Sequence, residues 1–295
     1  MSNYSIRDLE QLSGIKAHTL RIWEQRYAII APQRTDTNIR VYDDENLRLV
    51  LNISLLKDHG YKISEISKLS SKELSALVMQ ISDRQLSYPD QIQALTLAMV
   101  DMDGERFEKI IQSNVNQFGF ENSMTHIIYP FLSRIGALWM TGSIGPAQEH
   151  FIINLIRQKM IVAIDALKQK IDGQANFGKT YLLFLPEGEY HEISLLFANY
   201  VISSRFQKVI YLGQNLPFGE LEFVYERYKP DYLFTVLTSS LANHEVQPYV
   251  DQLANTFSNS QILLTGYQVV GQDIELPENV SIVNQPNDLI HIIGR

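Results

Sequence analysis

From Thr180 onward the chain alternates short apolar runs with helical stretches, and no other feature restricts the fold as much. Thr180 to Leu185 reads as a strand, Glu192 to Ser203 as a helix, Lys208 to Leu212 as a strand, Gly219 to Arg227 as a helix and Tyr232 to Leu237 as a strand. A helix near Val246 to Thr256, strands at Gln261 to Thr265 and Val280 to Val283, and a last helix at Asp288 to Ile293 complete the series. Each intervening helix carries the chain back to the end of the sheet from which it left. Residues 178–295 are therefore expected to form a doubly wound parallel sheet, with its ligands beyond the carboxyl ends of the strands.

The residues at those ends are specific. After the first strand comes Pro186-Glu187-Gly188-Glu189-Tyr190-His191-Glu192-Ile193-Ser194, after the third Ser239-Ser240-Leu241, and after the fourth Thr265-Gly266-Tyr267. The sheet should gather His191, Ser239 and Gly266 at one rim. There an imidazole nitrogen of His191 can reach a metal while Glu189 orients the ring through its other nitrogen. A loop histidine that merely caps a helix is the plainer alternative.

From Gln91 to about Ile171 the pattern is helical, broken near Asp103-Gly104, Gly119-Phe120 and Thr141 to Pro146. Leu95, Ala98, Met99 and Met102 share one face, as do Ile152, Leu155, Ile156 and Lys159, so residues 90–173 are expected to form a four-helix bundle. Trp139 precedes the last break, and Glu149-His150 opens the next helix. By residue type alone these suit a core tryptophan and an acid at a helix N-terminus. Residues 71–89, rich in Ser and other polar residues, read as a linker with a short helix.

At the other end, Ser5 and Asp8 form an acidic capping box for a helix to Leu12, ended by Gly14. A second helix runs from Ala17 or His18 to Tyr27, the arrangement of a helix-turn-helix. Leu20, Trp23 and Tyr27 make its apolar stripe, leaving Lys16, His18, Thr19, Arg21 and Arg26 outward. Beyond Pro32, a turn rich in Thr, Asp and Asn is flanked by the β-prone Ile39-Arg40-Val41-Tyr42. It is expected to be a wing, with Arg34, Asn38, Arg40 and Tyr42 available to a phosphate backbone or groove edge. A long helix from Asp44 to His59, with Gly60 as C-cap, and another near Ile63 to Leu69 close this domain, residues 1–70.

Charge agrees with that placement. The whole chain carries a net −8, yet five basic residues stand against two acidic ones between Ile15 and Tyr42, so binding should be site-specific and salt-sensitive. The 295 residues contain no cysteine, which excludes disulfides, thiolate metal sites and cysteine nucleophiles. No apolar run reaches the ~20 residues of a membrane span and no leader precedes the first helix, so a cytoplasmic protein is expected.

Three resemblances rest on these residues. The first 70 or so, through Thr19-Leu20-Arg21-Ile22-Trp23-Glu24, Arg26 and Arg40-Val41-Tyr42, resemble the MerR family of winged helix-turn-helix regulators. The sheet resembles the cobalamin-binding domain, whose fingerprint is Asp/Glu-x-His-x-x-Gly, Ser-x-Leu and Gly-Gly. Glu189, His191, Ser239, Leu241 and Gly266 match it, while Ser194 and Thr265 stand where that family has glycine. The whole chain resembles the light-responsive, adenosylcobalamin-dependent MerR repressors of the CarH and LitR type. In them a Trp and a Glu-His pair, here Trp139, Glu149 and His150, cap the upper face of the corrin.

The resemblance implies His191 as the lower ligand to cobalt, adenosylcobalamin as cofactor, and operator DNA as partner. It also implies a homo-oligomer, dimer or tetramer, whose assembly and repression respond to the cofactor and to light, with no enzymatic activity. A related regulator that has lost cobalamin and answers another ligand or a partner protein is the alternative. A corrinoid methyl carrier fits less well, because it would have no use for a DNA-binding domain.

Overall fold

The computed structural model describes residues 4–35, 38–58, 60–82, 88–140, 144–171, 178–239 and 245–293. The chain forms two compact units, Met1–Leu155 and Ile156–Arg295.

The first unit begins with α1 (Ile6–Ser13), and its cap is the expected box: the Ser5 amide donates to Asp8 Oδ2 at 2.7 Å and the Asp8 amide to Ser5 Oγ at 3.3 Å. Gly14, at φ 73°, ends the helix in the left-handed region that glycine enters without strain. α2 (Ala17–Tyr27) then buries Leu20 and Trp23. Strands β1 (Gln33–Arg34) and β2 (Arg40–Val41) pair antiparallel as a short wing, followed by α3 (Asp44–Asp58), α4 (Ile63–Ile66) and α5 (Ser71–Ser82). The Lys57 ammonium of α3 lies 4.9 Å from the centre of the Trp23 ring, joining α3 to the underside of α2.

Tyr42 corrects the sequence expectation. Its backbone exchanges hydrogen bonds with Tyr4, 2.8 and 2.9 Å long, and its side chain is 1% exposed. A large aromatic next to an edge strand gains more from burial, roughly 1.5–3 kcal/mol, than from solvent. Tyr42 therefore belongs to the core that anchors the wing to the N-terminus.

The bundle follows: α6 (Tyr88–Val100), α7 (Gly104–Phe118), α8 (Phe120–Ser123), a π-helical stretch Met124–Ile128, α9 (Tyr129–Met140) and the start of the 26-residue α10 (Pro146–Ile171), which from Ile156 on belongs to the second unit. Two breaks fall as expected, with Asp103 capping α7 through its carboxylate and Gly119 closing it, and the first half of the third, Thr141 to Ser143, lies outside the described residues. Met102 leaves the face assigned to it. It sits beyond the end of α6 at φ 50° and is exposed.

α1 and α3 are packed onto this bundle by specific hydrogen bonds. Gln93 of α6 donates through Nε2 to the Leu51 carbonyl of α3 at 2.5 Å, and Arg48 Nε of α3 donates to Asp101 Oδ1, also at 2.5 Å. Arg134 of α9 donates through Nη1 to the Leu12 carbonyl at 3.1 Å. The last turn of α1 leaves carbonyls without helical partners and carries partial negative charge, which suits a guanidinium that burial disfavours. Ser54 Oγ donates to the neighbouring Ser13 carbonyl at 2.8 Å, so α3 and α9 together close that end.

In the second unit, β3 (Thr180–Pro186), α11 (Ile193–Ser204), β4 (Lys208–Leu216), α12 (Phe218–Tyr228), β5 (Tyr232–Val236), α13 (Val246–Thr256), β6 (Gln261–Thr265), β7 (Val280–Ile282) and α14 (Pro286–Ile293) follow in order. The five strands are parallel, in the order β4-β3-β5-β6-β7. Central strands buried on both faces need continuous apolar runs, and Leu182 to Leu185 and Ile262 to Leu264 supply them. On one face Leu182, Phe184, Leu233, Ile262 and Leu264 pack against Leu221, Tyr225, Tyr249, Val250 and Leu253 of α12 and α13. The chain travels from β3 outward to β4 and returns to β5 on the other side of β3, so the topological switch point lies between β3 and β5.

Arg134→Met should loosen the end of α1 while leaving the sheet intact. Leaving a buried carbonyl unsatisfied costs about 1–3 kcal/mol, so amide exchange over residues 9–16 is expected to accelerate at least ~10-fold by hydrogen–deuterium exchange mass spectrometry. Wild-type protection there would mean the contact carries no weight.

Candidate functional site

Two surfaces carry the residues singled out by the sequence. On the first, His18, Arg21 and Arg26 are exposed on α2, with Thr19 half-buried beside them. Lys16 is tied to Glu10 at 3.1 Å, and the other Glu10 oxygen accepts the Ala17 amide, so this pair fastens the turn between α1 and α2. In the wing, Arg34 Nη1 donates to Asn38 Oδ1 at 2.6 Å, with Asn38 at φ 63°. Asparagine tolerates that conformation better than most residues and here also holds the arginine.

Arg40 is placed differently from expectation. Its Nε donates to both oxygens of Glu24 on α2, at 3.2 and 3.0 Å, and the hydrogen bond and charge of Glu24 hold its pKa above the usual arginine value. Arg40 thus braces the wing against the second helix and neutralises an acid on it. Arg21, Arg26 and Arg34 are exposed on this surface, as is Lys16 beside its pair with Glu10.

The second surface is the rim of the sheet at the switch point. The loop after β3 brings in Glu189, 1% exposed, and His191, 56% exposed. One Glu189 oxygen, Oε1, accepts the Tyr190 amide at 2.9 Å, the His191 amide at 3.0 Å and the His191 ring Nδ1 at 2.7 Å. The other, Oε2, accepts the amides of Thr238 and Ser239, both at 2.7 Å, from the loop after β5. Burial alone would raise this carboxyl. The hydrogen bonds from the His191 ring and from the backbone amides of His191, Ser239 and Thr238 outweigh it and hold the pKa down to about 2.

A carboxylate is only an acceptor, so Nδ1 of His191 carries a proton, which in the neutral ring leaves the lone pair on Nε2. The hydroxyl of Ser239 lies 3.2 Å from the same Nδ1, steadying the ring from the β5 side. This is the carboxylate–imidazole arrangement that orients histidine ligands in metal sites.

The backbone of the loop is held as well. β4 has a register shift opposite Leu183 and Phe184, with Gly213 at φ 79°, and the bulge turns the end of the strand toward the loop. Asn215 Oδ1 then accepts the Gly188 amide at 2.8 Å, and Gln214 Nε2 donates to the Tyr190 carbonyl at 2.8 Å.

Gly266, at φ 109°, approaches Leu237 so closely that a Cβ would lie 2.5 Å from the Leu237 carbonyl oxygen. Glycine is obligatory there for backbone packing between the β5 and β6 ends. Thr265, where a further glycine was looked for, donates through Oγ1 to the Val283 carbonyl at 2.7 Å. Ser194 stands half-buried in the first turn of α11. Leu241 lies outside the described residues. In the other unit, Trp139 is 52% exposed in the last turn of α9, not a core residue, and Glu149 and His150 lie near the start of α10.

Sequence reasoning missed three participants. The Thr238 amide, the bulged Gln214-Asn215 pair and Arg157, which is ion-paired with Glu192, act through the backbone or across distant elements, and no local pattern marks them.

Residues 4–73 match the family of MerR HTH regulatory proteins, and residues 91–164 match the B12 binding domain. The HTH-type transcriptional repressor CarH of Myxococcus xanthus is 26% identical over 256 residues, covering 85% of this chain and 83% of that protein. The HTH-type transcriptional repressor CarA of the same organism is 26% identical over 229 residues, covering 77% and 73%. The structure of a Methanosarcina barkeri monomethylamine corrinoid protein overlays with a TM-score of 0.55 at 12% identity, over 70% of this chain and 98% of that one, a likeness of fold alone.

Glu189 ties protonation to stability. Its folded pKa lies below the ordinary 4.5, so its contribution is complete above that value and is lost as pH falls toward about 2. At about 1.4 kcal/mol per unit, this is about 3 kcal/mol. Glu189→Gln should lose about 2–3 kcal/mol at pH 7 and almost nothing near pH 2, read from urea denaturation of both proteins across that range. Parallel pH profiles would refute it.

Proposed function

We propose that this chain, a MerR-type helix-turn-helix protein that carries a B12-binding domain, is a transcriptional repressor whose assembly and grip on operator DNA are set by adenosylcobalamin, with light as the signal that releases it. The observation that carries the proposal is the His191 imidazole, fixed in one tautomer by a buried carboxylate at the switch point of a parallel sheet. A helix cap would not require five donors to hold its partner acid.

The donor set fits the cofactor. His191 Nε2 is the nitrogen for cobalt, Glu189 and Ser239 orient the ring, and the close approach at Gly266 keeps side chains out of the β5–β6 gap. Trp139, Glu149 and His150 of the bundle are assigned to the same cofactor by the resemblance and would add contacts to it. When bound, the adenosyl form supplies a cobalt centre that accepts an imidazole and a carbon ligand that light can remove. The exposure of Trp139 in a helical domain supports its assignment to a ligand rather than to the core.

The remaining steps belong to the protein. A ligand shifts an assembly only through different affinities for its two forms, so cofactor contacts that strengthen in the oligomer favour the oligomer. An oligomer brings several α2 helices and wings to one duplex, and the second contact then forms at high effective concentration. Gln93, Arg48 and Arg134 tie the bundle to α3 and α1, the helices that flank α2 in the DNA-binding domain. On DNA, Arg21, Arg26 and Arg34 meet phosphates or base edges, and Arg40 acts by keeping Glu24 from repelling them.

A regulator of the same build that works without cobalamin is the second reading. Thr265 favours it, because its side chain stands at a position where the fingerprint has none.

Purified with adenosylcobalamin in the dark, the protein should retain the corrin through gel filtration as a larger assembly than after illumination, and His191→Ala should change the visible spectrum. If no corrin co-elutes and His191→Ala alters nothing, the second reading holds. Independently, Arg21→Ala should weaken binding to duplex DNA and reduce the slope of log affinity against log salt by about one, with an unchanged circular dichroism spectrum. An unaltered slope would remove Arg21 from the interface.

A further inference from the structure

His191 stands between two buried carboxylates in sequence, and only one of them is explained by the ring. Glu189 holds Nδ1 and staples the loop to the β5 side. Glu192 follows His191 directly, occupies the N-cap of α11 and is buried, yet its side chain makes no capping hydrogen bond to its own helix. Its partner is Arg157 on α10, whose Nε donates to Glu192 Oε1. The buried hydroxyl of Tyr211 on β4 lies beside the pair, its pKa raised first by burial and then by the Glu192 charge.

Such a pair is costly to build. An ion pair with one buried partner gains little over apolar residues of the same size, but losing one member leaves an uncompensated charge and is strongly unfavourable. What the pair supplies is geometry. Glu189 controls the rotation and tautomer of the ring, and the Arg157–Glu192 link sets where the backbone between the two acids lies. With both ends held, residues 190 and 191 have little room to translate.

We propose that Arg157 is a positioning residue for the His191 imidazole, acting through Glu192 to hold the histidine loop against α10. The proposal rests on His191 as the cobalt ligand only for its purpose; the pin itself is a property of the cofactor-free chain. Without Arg157, Glu192 gains by turning toward water, and the loop that carries His191 moves with it.

Two variants and two readouts test this. Arg157→Met removes the grip. Glu192→Gln removes the charge while keeping the shape, so it should fold even if the first variant does not. In the cofactor-free protein, exchange of the backbone amides over residues 190–193 should rise about 10-fold in Arg157→Met and less in Glu192→Gln, with β3 and β5 amides unchanged. After loading with adenosylcobalamin in the dark, both variants should show a smaller histidine-ligated fraction in the visible spectrum at equal corrin content, again larger in effect for Arg157→Met. Wild-type exchange in both variants overturns the proposal, as does an undiminished histidine-ligated fraction in both. Wild-type protein that retains no corrin counts against the ligand assignment of His191 and not against the pin, which the amide exchange then decides alone.

Discussion

The rim of the sheet depends on one buried charge. Glu189 has given up its water, and the protein replaces that hydration with four backbone amides and one ring nitrogen. Two of the amides come from its own loop and two from the loop after β5, so the carboxylate joins the two sides of the switch point. Its ionisation and the shape of the loop are therefore one property. Charge draws the amides inward, and the amides keep the charge at pH values where an exposed carboxyl would be protonated.

The first unit relies on the same economy at a helix end. α1 finishes with carbonyls that no residue of its own helix can satisfy, and they are met by Gly14, by Ser54 of α3 and by Arg134 of α9. The helix-turn-helix is consequently built into the bundle. α9 thus carries both Trp139, in its last turn, and the Arg134 contact to α1.

Much of this was legible in the residues. The capping box at Ser5, the glycine stop at Gly14 and the apolar strands were readable because each is decided within four or five neighbouring residues, and the strand and helix limits fall within a few residues of expectation. The pairing of Glu189 with His191 was readable for the same reason, being a contact between residues two apart. What escaped was decided by partners distant in sequence. Arg40 was read as a cation for DNA because nothing near it reveals Glu24, sixteen residues earlier on α2. Tyr42 was read as outward because its partner, Tyr4, lies across the domain. The grip of Arg157 on Glu192 spans 35 residues and two kinds of element.

The amino-acid sequence by itself determined the order and type of the elements, the parallel sense of the sheet and the presence of an acid and an imidazole at its rim. These follow from periodicity, capping and the length of the crossovers, all local quantities. Only the tertiary structure decided which charges are spent inside the protein and which remain outward. Pairing energy depends on distance in space and on burial, and neither is written in the spacing of residues along the chain. Arg40 is thereby drawn into a half-buried ion pair and Arg134 is taken up by a helix end, while Arg21, Arg26 and Arg34 are left exposed, as is Lys16 beside Glu10.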